Sequence, residues 1–312
     1  MSNYIISDIP IDLQNQIAII GRQIGDTPLL PIKKIFQKKG VEIYAKAEYQ
    51  QLSGSVKARA AFNIFKDAID KGIFEEGRTL LDASSGNTAI AYAIIGNMLH
   101  LPVSICIPKN ASAERKKILE VLGVEIIYTS EFGGTDEAQE TASFLSSQYP
   151  NRYYYANQYA NEQNWKAHYD NTAPEIYRQK SDITHFVAGL GTTGTFVGVS
   201  KKLKIINPAI KTIALQPDLA MHGLEGWKHL ETAVVPSIFE PDLVDEYLSI
   251  TTSEAYQTLV DVARKEGLLL SPSAAANLAG AIKIANSAKE AIIVTVFPDN
   301  ADKYSEIIKK IL

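Results

Sequence analysis

The stretch THFVAGLGTTGTFVG, residues 184–198, joins an apolar run to a loop of glycine and threonine, and this loop opens a helix. The same succession occurs where RTLLDA, residues 78–83, runs into SSGNTAIA, residues 84–91. The other apolar runs, separated by amphipathic segments, predict strands at 41–47, 103–107, 124–129, 211–216 and 291–297. Strands that alternate with helices form parallel sheets with helices on both faces, and ligands bind at the carboxyl ends of those strands. We therefore predict an α/β fold with its functional loops at the strand ends.

Length and one change in composition predict the domain organisation. A chain of 312 residues that is 46% hydrophobic can build one large core or two medium-sized domains with a shared interface, and we favour two. The polar stretch SSQYPNRYYYANQ, residues 146–158, is interpreted as the transition between them. This gives an N-terminal α/β domain of residues 1–155 and a C-terminal α/β domain of residues 156–312, with part of 1–45 crossing to the C-terminal domain.

A helix is predicted near the start of the chain. From about Pro10 to Arg22 the pattern places Leu13, Ile17 and Ile20 on one face. This face is expected to pack on the body of the protein or on a second subunit.

The composition argues against several classes of partner. A formal net charge of -4 with 21% charged residues provides no basic surface for nucleic acid, so none is expected as a partner. The first residues lack the pattern of a secretion signal and no apolar run approaches ~20 residues, which predicts a soluble, cytoplasmic protein without membrane contact. Cys106 is the single cysteine, so no internal disulfide and no thiolate metal cage are expected, and no other side chains have metal-ligand spacing.

The loop GLGTTGT, residues 189–195, is a candidate anion site. Its glycines allow close approach of the backbone, and the N–H groups at the helix start together with the threonine hydroxyls suit a phosphate. Plain helix capping explains the same residues equally well, and both interpretations stay open on this loop alone. The loop lacks the lysine of a Walker A motif, and the next strand ends in Gln216 rather than in an acid, which argues against a dinucleotide. A third loop, LLLSPSAAANLAG at 268–280, also precedes a predicted helix.

Lys57 lies between the polar turn QQLSGS and the start of an alanine-rich helix. A lysine is most often exposed, because burying an ammonium group without a partner is costly. Alternatively, a lysine among apolar residues has a lowered pKa and can act as a nucleophile that forms a Schiff base. A phosphate loop, an SGNT loop and such a lysine together suggest one ligand with a phosphate, an aldehyde and a ring hydroxyl, and pyridoxal phosphate has all three.

A set of motifs between residues 24 and 304 carries a resemblance to a known family. The motifs are IGDTPLL (24–30), SGSVKAR (53–59), SSGNT (84–88), AERKKILEVLGVEII (113–127), NQYANEQNWKAHYDNTAPEIY (157–177), THFVAGLGTTGT (184–195) and PDNADKY (298–304). With these motifs in this order, the sequence resembles the fold type II, or β-family, pyridoxal-phosphate enzymes. Within these it is most similar to the B-type branch of the cysteine synthases (O-acetylserine sulfhydrylases). The resemblance implies two open, twisted, mostly parallel sheets flanked by helices, pyridoxal 5'-phosphate as cofactor, and a homodimer.

The resemblance also implies roles for single residues. Lys57 would be the Schiff-base lysine and general base, Asn87 the partner of the cofactor's ring hydroxyl, and Ser273 the neighbour of its pyridine nitrogen. The cofactor phosphate is expected on Gly191, Thr192, Thr193, Gly194 and Thr195. The substrate carboxylate is expected on Ser84, Ser85, Gly86, Thr88 and Gln158.

The implied reaction is a β-replacement on a small amino acid. Acetate leaves O-acetyl-L-serine, an aminoacrylate intermediate forms, and sulfide or another nucleophile adds to give L-cysteine or a related product. O-phosphoserine sulfhydrylase, cystathionine β-synthase, lanthionine or diaminopropionate synthase, and a cysteine lyase that releases H2S share the first half of this reaction and stay open as alternatives. A regulatory protein that binds pyridoxal phosphate without turnover also stays open, although Lys57, Asn87 and Ser273 argue against it.

Several positions depart from the family pattern. Ala58 replaces an aspartate and is expected to alter support of the helix, whereas Ala89 replaces a glycine and is expected to stiffen the substrate loop. Pro272 precedes Ser273 where the family often has glycine. Asp218 stands where some O-phosphoserine enzymes have an arginine, and since a carboxylate repels a phosphate, O-acetylserine is favoured.

Two histidines lie near the predicted site. His168, at helical spacing in NWKAHYDN, is interpreted as a packed or hydrogen-bonded helix residue rather than a base, because Lys57 already fills that role. His222 lies in a turn-rich segment with Met221 and Trp227, and the pocket near these three side chains is expected to select the second nucleophile.

Overall fold

Two β-sheets and the helices that cover them make up the computed structural model, which describes residues 12–311. In chain order the elements are α1 (Leu13–Gly21), β1 (Leu29–Ile32), β2 (Val41–Ala47), α2 (Lys57–Asp70), β3 (Thr79–Ala83), α3 (Asn87–Met98), β4 (Val103–Pro108), α4 (Ala113–Val121), β5 (Glu125–Thr129), α5 (Gly134–Gln148), β6 (Tyr153–Tyr155), α6 (Glu162–Ala167), α7 (Ala173–Gln179), β7 (His185–Gly189), α8 (Gly194–Ile206), β8 (Lys211–Pro217), β9 (Glu246–Ile250), α9 (Thr252–Glu266), α10 (Pro272–Ser287), β10 (Ala291–Phe297) and α11 (Ser305–Ile311). A π-helical turn, His168–Thr172, joins α6 to α7.

The larger sheet has six strands in the order β1-β2-β10-β7-β8-β9. Its neighbours are parallel except for β1, which runs antiparallel to β2 at one edge. The smaller sheet has four strands in the order β5-β4-β3-β6, and its pairs are all parallel. The predicted architecture of two mostly parallel sheets flanked by helices is confirmed.

Every strand predicted from an apolar run is present, with ends that differ by no more than one residue. Three further strands, β1, β6 and β9, were not predicted from the sequence, and all three lie at sheet edges. Strand β9 has exposed residues along much of its length, β6 has three tyrosines in a polar stretch, and β1 contains Pro31, which an edge strand tolerates. Such strands lack the continuous apolar run that marks a strand buried on both faces.

Helix α1 begins at Leu13, after Asp12, whose side chain accepts a hydrogen bond from Asn15 N. Ile17 and Ile20 are buried in the same apolar core as residues of α2 and α3. The predicted apolar face therefore packs on the body of its own chain. The predicted start of the helix near Pro10 lies outside the described residues.

The carboxyl ends of the parallel strands in both sheets face a common cleft. Helices α9 and α10 cover one face of the larger sheet, and α7 and α8 cover the other. The smaller sheet lies between α5 on one side and α1 to α4 on the other. The loops that leave β3, β7 and β10 meet at the inner end of this cleft, so the fold brings three distant parts of the chain to one place.

The division into domains at residues 155 and 156 stays a prediction. The smaller sheet is built from strands between residues 79 and 155, whereas β1 and β2, from residues 29–47, belong to the larger sheet.

Over residues 12–311, no helix has the length and apolar character needed to cross a membrane. In the same part of the chain, no cluster of His, Cys, Asp and Glu side chains is arranged to hold a metal ion. Cys106 is buried in β4.

Candidate active site

The cleft between the two sheets has a volume of about 560 Å³ and narrows into an inner chamber. The residues predicted to bind the substrate carboxylate line the cleft: Ser84, Ser85, Gly86, Thr88 and Gln158. Those predicted to bind a cofactor line the chamber: Lys57, Asn87, Gly191, Thr192, Thr193, Thr195 and Ser273. Gly194 differs from the other predicted residues, because it lies buried at the start of α8 and lines neither space.

Lys57 is the first residue of α2, and the loop before it is fixed to the end of β10. Val56 N donates a hydrogen bond of 2.8 Å to Pro298 O. Lys57 Nζ donates to Thr192 Oγ1 over 3.2 Å. Burial lowers the pKa of Lys57 to about 8, although the nearby Asp299 carboxylate raises it. A fraction of this amine is therefore unprotonated near neutral pH, as a nucleophile or a base requires.

A buried ion network holds α2 against the larger sheet. The Arg59 guanidinium donates to the Glu48 carboxylate over 2.6 and 2.8 Å, and to the Glu175 carboxylate over 2.7 and 2.8 Å. Lys46 Nζ, in β2, lies 2.7 Å from Glu175 Oε2. Burial raises the pKa of Glu175, but Arg59 and Lys46 outweigh it and lower this pKa to about 2. The network fixes the helix that begins with Lys57, and no motif in the sequence predicts it.

Asn87, the first residue of α3, has its amide group oriented by a buried carboxylate. Asn87 Nδ2 donates to Asp299 Oδ2 over 2.7 Å, and the Tyr304 hydroxyl donates to the same oxygen over 2.6 Å. Asn87 Oδ1 is buried and has no hydrogen-bond partner in the described chain. A buried acceptor without a partner calls for a donor from a ligand. Asp299 and Tyr304 lie within the motif PDNADKY, but the sequence alone predicts no role for either residue.

Asn277 in α10 holds the end of β7 in place. Its Oδ1 accepts a hydrogen bond of 2.8 Å from Gly189 N, and its Nδ2 donates to Val296 O over 2.8 Å. The side chain thus ties two neighbouring strands together at the floor of the chamber. No sequence motif identified this residue.

The loop after β7 turns sharply into α8. Thr193 precedes the helix with a left-handed φ of 67°, and its buried Oγ1 has no partner within residues 12–311. A Cβ on Gly191 would lie 2.0 Å from Gly226 O, so only glycine fits where this loop meets the segment after β8. No side chain of the described residues caps α8, and its first N–H groups are therefore available to an anion.

Ser273 lies in the first turn of α10. Its Oγ is 3.2 Å from Ser271 Oγ. Ser271 Oγ accepts a hydrogen bond from Ala274 N and so caps the helix. Pro272 occupies the first helical position, where a missing N–H group costs nothing. The proline that departs from the family pattern is thus accommodated without displacing Ser273 from the chamber.

Gln158 supports the substrate loop from behind. Its Oε1 accepts a hydrogen bond of 2.7 Å from Thr88 Oγ1, and its Nε2 donates to Ala83 O over 3.0 Å. Gln158 N donates to the buried Asp82 carboxyl group over 3.3 Å. Burial raises the pKa of Asp82 to about 7, although hydrogen bonds from Ala83 N and Gln158 N lower it.

Two ion pairs cross the mouth of the cleft. Arg115 of α4 pairs with Glu225, and its guanidinium lies 4.8 Å from the centre of the Tyr304 ring. Lys228 Nζ lies 2.9 Å from Asp136 Oδ1 of α5. Glu225 and Lys228 belong to the segment after β8, so both pairs join the two sides of the cleft. Neither pair was predicted from the sequence, because no local pattern marks contacts between such distant residues.

The residues predicted to shape the mouth are only partly in the cleft. His222 and Trp227 line it, whereas Met221 is 93% exposed and does not. Asp218 does not line the cleft either, so the predicted repulsion between its carboxylate and a substrate phosphate has no structural basis.

The two alanines that depart from the family pattern are buried in helices. Ala58 lies in the first turn of α2, consistent with the expected role in supporting that helix. Ala89 lies within α3 and packs in the core under the smaller sheet. Ala89 directly follows Thr88 in the first turn of this helix, and the expectation that it stiffens the substrate loop stays a prediction.

The chain is similar in sequence and in fold to known proteins over most of its length. A family model described as pyridoxal-phosphate dependent enzyme matches residues 20–299. The chain is 42% identical to a cysteine synthase of Aquifex aeolicus over 289 residues, covering 90% of this chain and 88% of that protein. It is 35% identical to cysteine synthase B of Salmonella typhimurium, covering 90% and 92% of the two chains. The solved structure of a cysteine synthase from Entamoeba histolytica superposes with a TM-score of 0.87 at 31% identity, covering 93% of this chain and 90% of that one.

Proposed function

Since the chain belongs to the family of pyridoxal-phosphate-dependent enzymes, we propose that it is a cysteine synthase, which forms L-cysteine from O-acetyl-L-serine and sulfide. Similarity to proteins named cysteine synthase over most of both chains supports this reaction. The single observation that carries the proposal is Lys57, an amine with a lowered pKa whose Nζ lies in the chamber against Thr192.

The unpaired groups of the chamber fit pyridoxal phosphate. Asn87 Oδ1, an acceptor without a donor among the described residues, suits the ring hydroxyl. Thr193 Oγ1, equally unpaired in that part of the chain, and the uncapped start of α8 suit the phosphate. The side chains and loop that would hold the cofactor are Lys57, Asn87, Ser273 and residues 191–195. When bound, pyridoxal phosphate supplies an electrophilic aldehyde and a ring that stabilises negative charge on the α-carbon of an amino acid.

Lys57 Nζ is the group that would remove the α-proton of the substrate. Its pKa of about 8 leaves part of the amine free to accept a proton near neutral pH. The Asp299 carboxylate stabilises the ammonium group that results, since it favours the charged form of Lys57. Ser273 offers the pyridine nitrogen a neutral hydroxyl, which does not impose a proton there as an aspartate would.

The substrate loop would orient the amino acid through its carboxylate. Ser84 and Ser85 line the cleft, and Gly86 directly precedes α3, whose start has no side-chain cap in the described structure. Hydroxyl groups and uncapped N–H groups both donate to a carboxylate. Thr88 and Gln158 form a hydrogen bond with each other and so stabilise the conformation of this loop.

The first experiment measures L-cysteine formation from O-acetylserine and sulfide by the protein loaded with pyridoxal phosphate. We expect Lys57→Ala to reduce the rate by at least about a thousandfold, because both the anchoring amine and the base are lost. Lys66→Ala is the matched control, since Lys66 lies on the same helix in an exposed ion pair with Asp70. A Lys57→Ala protein with near-normal turnover would contradict the assignment.

The same assay with O-phosphoserine, serine and cysteine in place of O-acetylserine identifies the leaving group. Arg115 and Lys228 line the cleft, but each is already paired with a carboxylate. A second phosphate would have to break one of these pairs, which supports O-acetylserine as the substrate. A faster reaction with O-phosphoserine would overturn this choice and leave the role of Lys57 intact.

We also propose that the protein acts in the cytoplasm as a homodimer, with a small amino acid and a sulfur nucleophile as its reactants. The resemblance of the motifs to those of cysteine synthases supports the dimer. Light scattering of the purified protein tests it, and a monomer under assay conditions would contradict it.

A further inference from the structure

His168 lies behind the loop that we propose as the phosphate site. It begins the π-helical turn, in which Ala173 N donates its hydrogen bond to His168 O. Its side chain is almost fully buried, at 1% exposure, and lines neither the chamber nor the cleft. The proposed reaction assigns no role to this residue. Its position in a π-helical turn nevertheless suggests one, because such turns are frequent at functional sites.

Both ring nitrogens of His168 contact threonine hydroxyls. Nδ1 lies 2.9 Å from Thr172 Oγ1, and Nε2 lies 3.2 Å from Thr195 Oγ1. Thr172 is fully buried, and within residues 12–311 its hydroxyl has no other hydrogen-bond partner. A buried hydroxyl hydrogen needs an acceptor, so Thr172 donates to Nδ1. The neutral ring then carries its hydrogen on Nε2.

This tautomer decides the direction of the next hydrogen bond. With its hydrogen on Nε2, His168 donates to Thr195 Oγ1, and the hydrogen of the Thr195 hydroxyl is free to point elsewhere. Thr195 lines the chamber at the start of α8, so its hydroxyl can donate to a ligand there. In the opposite tautomer Thr195 would donate to the ring and present oxygen lone pairs to the chamber, which disfavours an anion.

The surroundings keep the ring neutral. Burial lowers the pKa of His168 well below its ordinary value, and the charges of Arg59 and Lys57 lower it further, while Glu175 opposes them. A protonated ring would donate from both nitrogens and leave the Thr172 hydrogen without an acceptor.

Close packing fixes the distances between the π-helical turn and α8. A Cβ on Gly198 would lie 2.2 Å from Trp165 O and 2.7 Å from His168 Cβ. A Cβ on Gly194 would lie 2.1 Å from Asn164 Oδ1. Glycine at both positions lets α8 approach this closely, which holds Nε2 within reach of Thr195.

We propose that His168 is a positioning residue for the cofactor phosphate: with Thr172 it orients the Thr195 hydroxyl as a hydrogen-bond donor into the chamber. The proposal rests on the assignment of the 191–195 loop as the phosphate site. It explains why a chain of hydrogen bonds runs from Thr172 through His168 to Thr195 behind the loop that we propose as the phosphate site.

The test compares the binding of pyridoxal phosphate and of pyridoxal, which lacks the phosphate, to cofactor-free protein by equilibrium titration. We expect His168→Phe to weaken binding of pyridoxal phosphate about tenfold, the effect of one hydrogen bond to a charged group, with pyridoxal binding unchanged. His168→Gln, whose amide can still donate to Thr195, should restore most of the affinity. Thr172→Val should weaken the binding of pyridoxal phosphate, whereas Thr172→Ser should not. The ³¹P resonance of the bound cofactor should shift only in the variants that bind pyridoxal phosphate more weakly.

Two outcomes overturn the proposal: unchanged affinity for pyridoxal phosphate in His168→Phe and Thr172→Val, or equal weakening of both ligands. Thr195→Val shows which assignment has failed. If Thr195→Val also has no selective effect on pyridoxal phosphate, the 191–195 loop is not the phosphate site. If it weakens pyridoxal phosphate alone while His168→Phe does not, the loop assignment survives and the role of His168 is lost.

Discussion

Asp82 is a buried carboxyl group beside the substrate loop that does not itself line the cleft. Burial raises its pKa from 3.8 to about 7. Between these values the folded protein holds a proton that the unfolded chain releases, so the free energy of unfolding falls as the pH rises through this window and levels off above it. Asp82→Asn cannot titrate, and we expect its free energy of unfolding to fall less steeply than that of the wild type over the same pH range.

Urea denaturation at a series of pH values measures this difference in slope. Asp242→Asn is the control for replacing an aspartate, because Asp242 is exposed. Identical slopes for Asp82→Asn and the wild type would mean that Asp82 is already ionised in the folded protein, with its hydrogen bonds from Ala83 and Gln158 outweighing burial.

At the scale of elements, the position of helix α2 is stabilised by buried ion pairs rather than by a side-chain cap. No side chain of the described residues caps its start, and Arg59 instead joins it to Glu48 and Glu175. We expect Glu175→Gln to lower the free energy of unfolding by about 3 kcal/mol, because it leaves buried cations without a counter-charge. Glu162→Gln is the control, since it breaks an exposed pair with Lys166 and should have no measurable effect.

Thermal or chemical denaturation of both variants in the cofactor-free protein gives the comparison. A Glu175→Gln protein as stable as Glu162→Gln would show that Glu48 alone balances Arg59 and that Lys46 has become neutral.

The elements differ in how well the sequence predicts them, for a physical reason. Central strands such as β4 and β10 are buried on both faces, so an uninterrupted apolar run marks each of them. The edge strands β1, β6 and β9 are partly exposed and carry no such signal. The same holds for the site: motifs predicted Lys57 and the loops, whereas the pairing of Arg59 with Glu175, 116 residues away, depends on tertiary contacts that no local pattern encodes.

At the scale of the whole molecule, the cleft depends on how the two sheets are held together. Helix α2 packs in the core of the smaller sheet, while its ion network reaches β2 of the larger one. Lys57 therefore begins a helix that is attached to both sides. At the mouth, two ion pairs join the loops on either side.

Those two pairs, Arg115–Glu225 and Lys228–Asp136, are half-buried, with Glu225 and Asp136 each 38% exposed. We expect the double variant Asp136→Asn/Glu225→Gln to raise amide hydrogen exchange in residues 220–235 about fivefold, the effect of losing about 1 kcal/mol, while β7 and β8 stay unchanged. Glu240→Gln is the matched control, because its pair with Lys201 does not cross the cleft. The double variant should also raise KM for the amino acid more than it lowers kcat, since the cleft must then close without these contacts. Exchange rates equal to those of the wild type would mean that apolar contacts alone keep residues 220–235 in place. The charged side chains at the mouth would then affect only the binding of charged ligands.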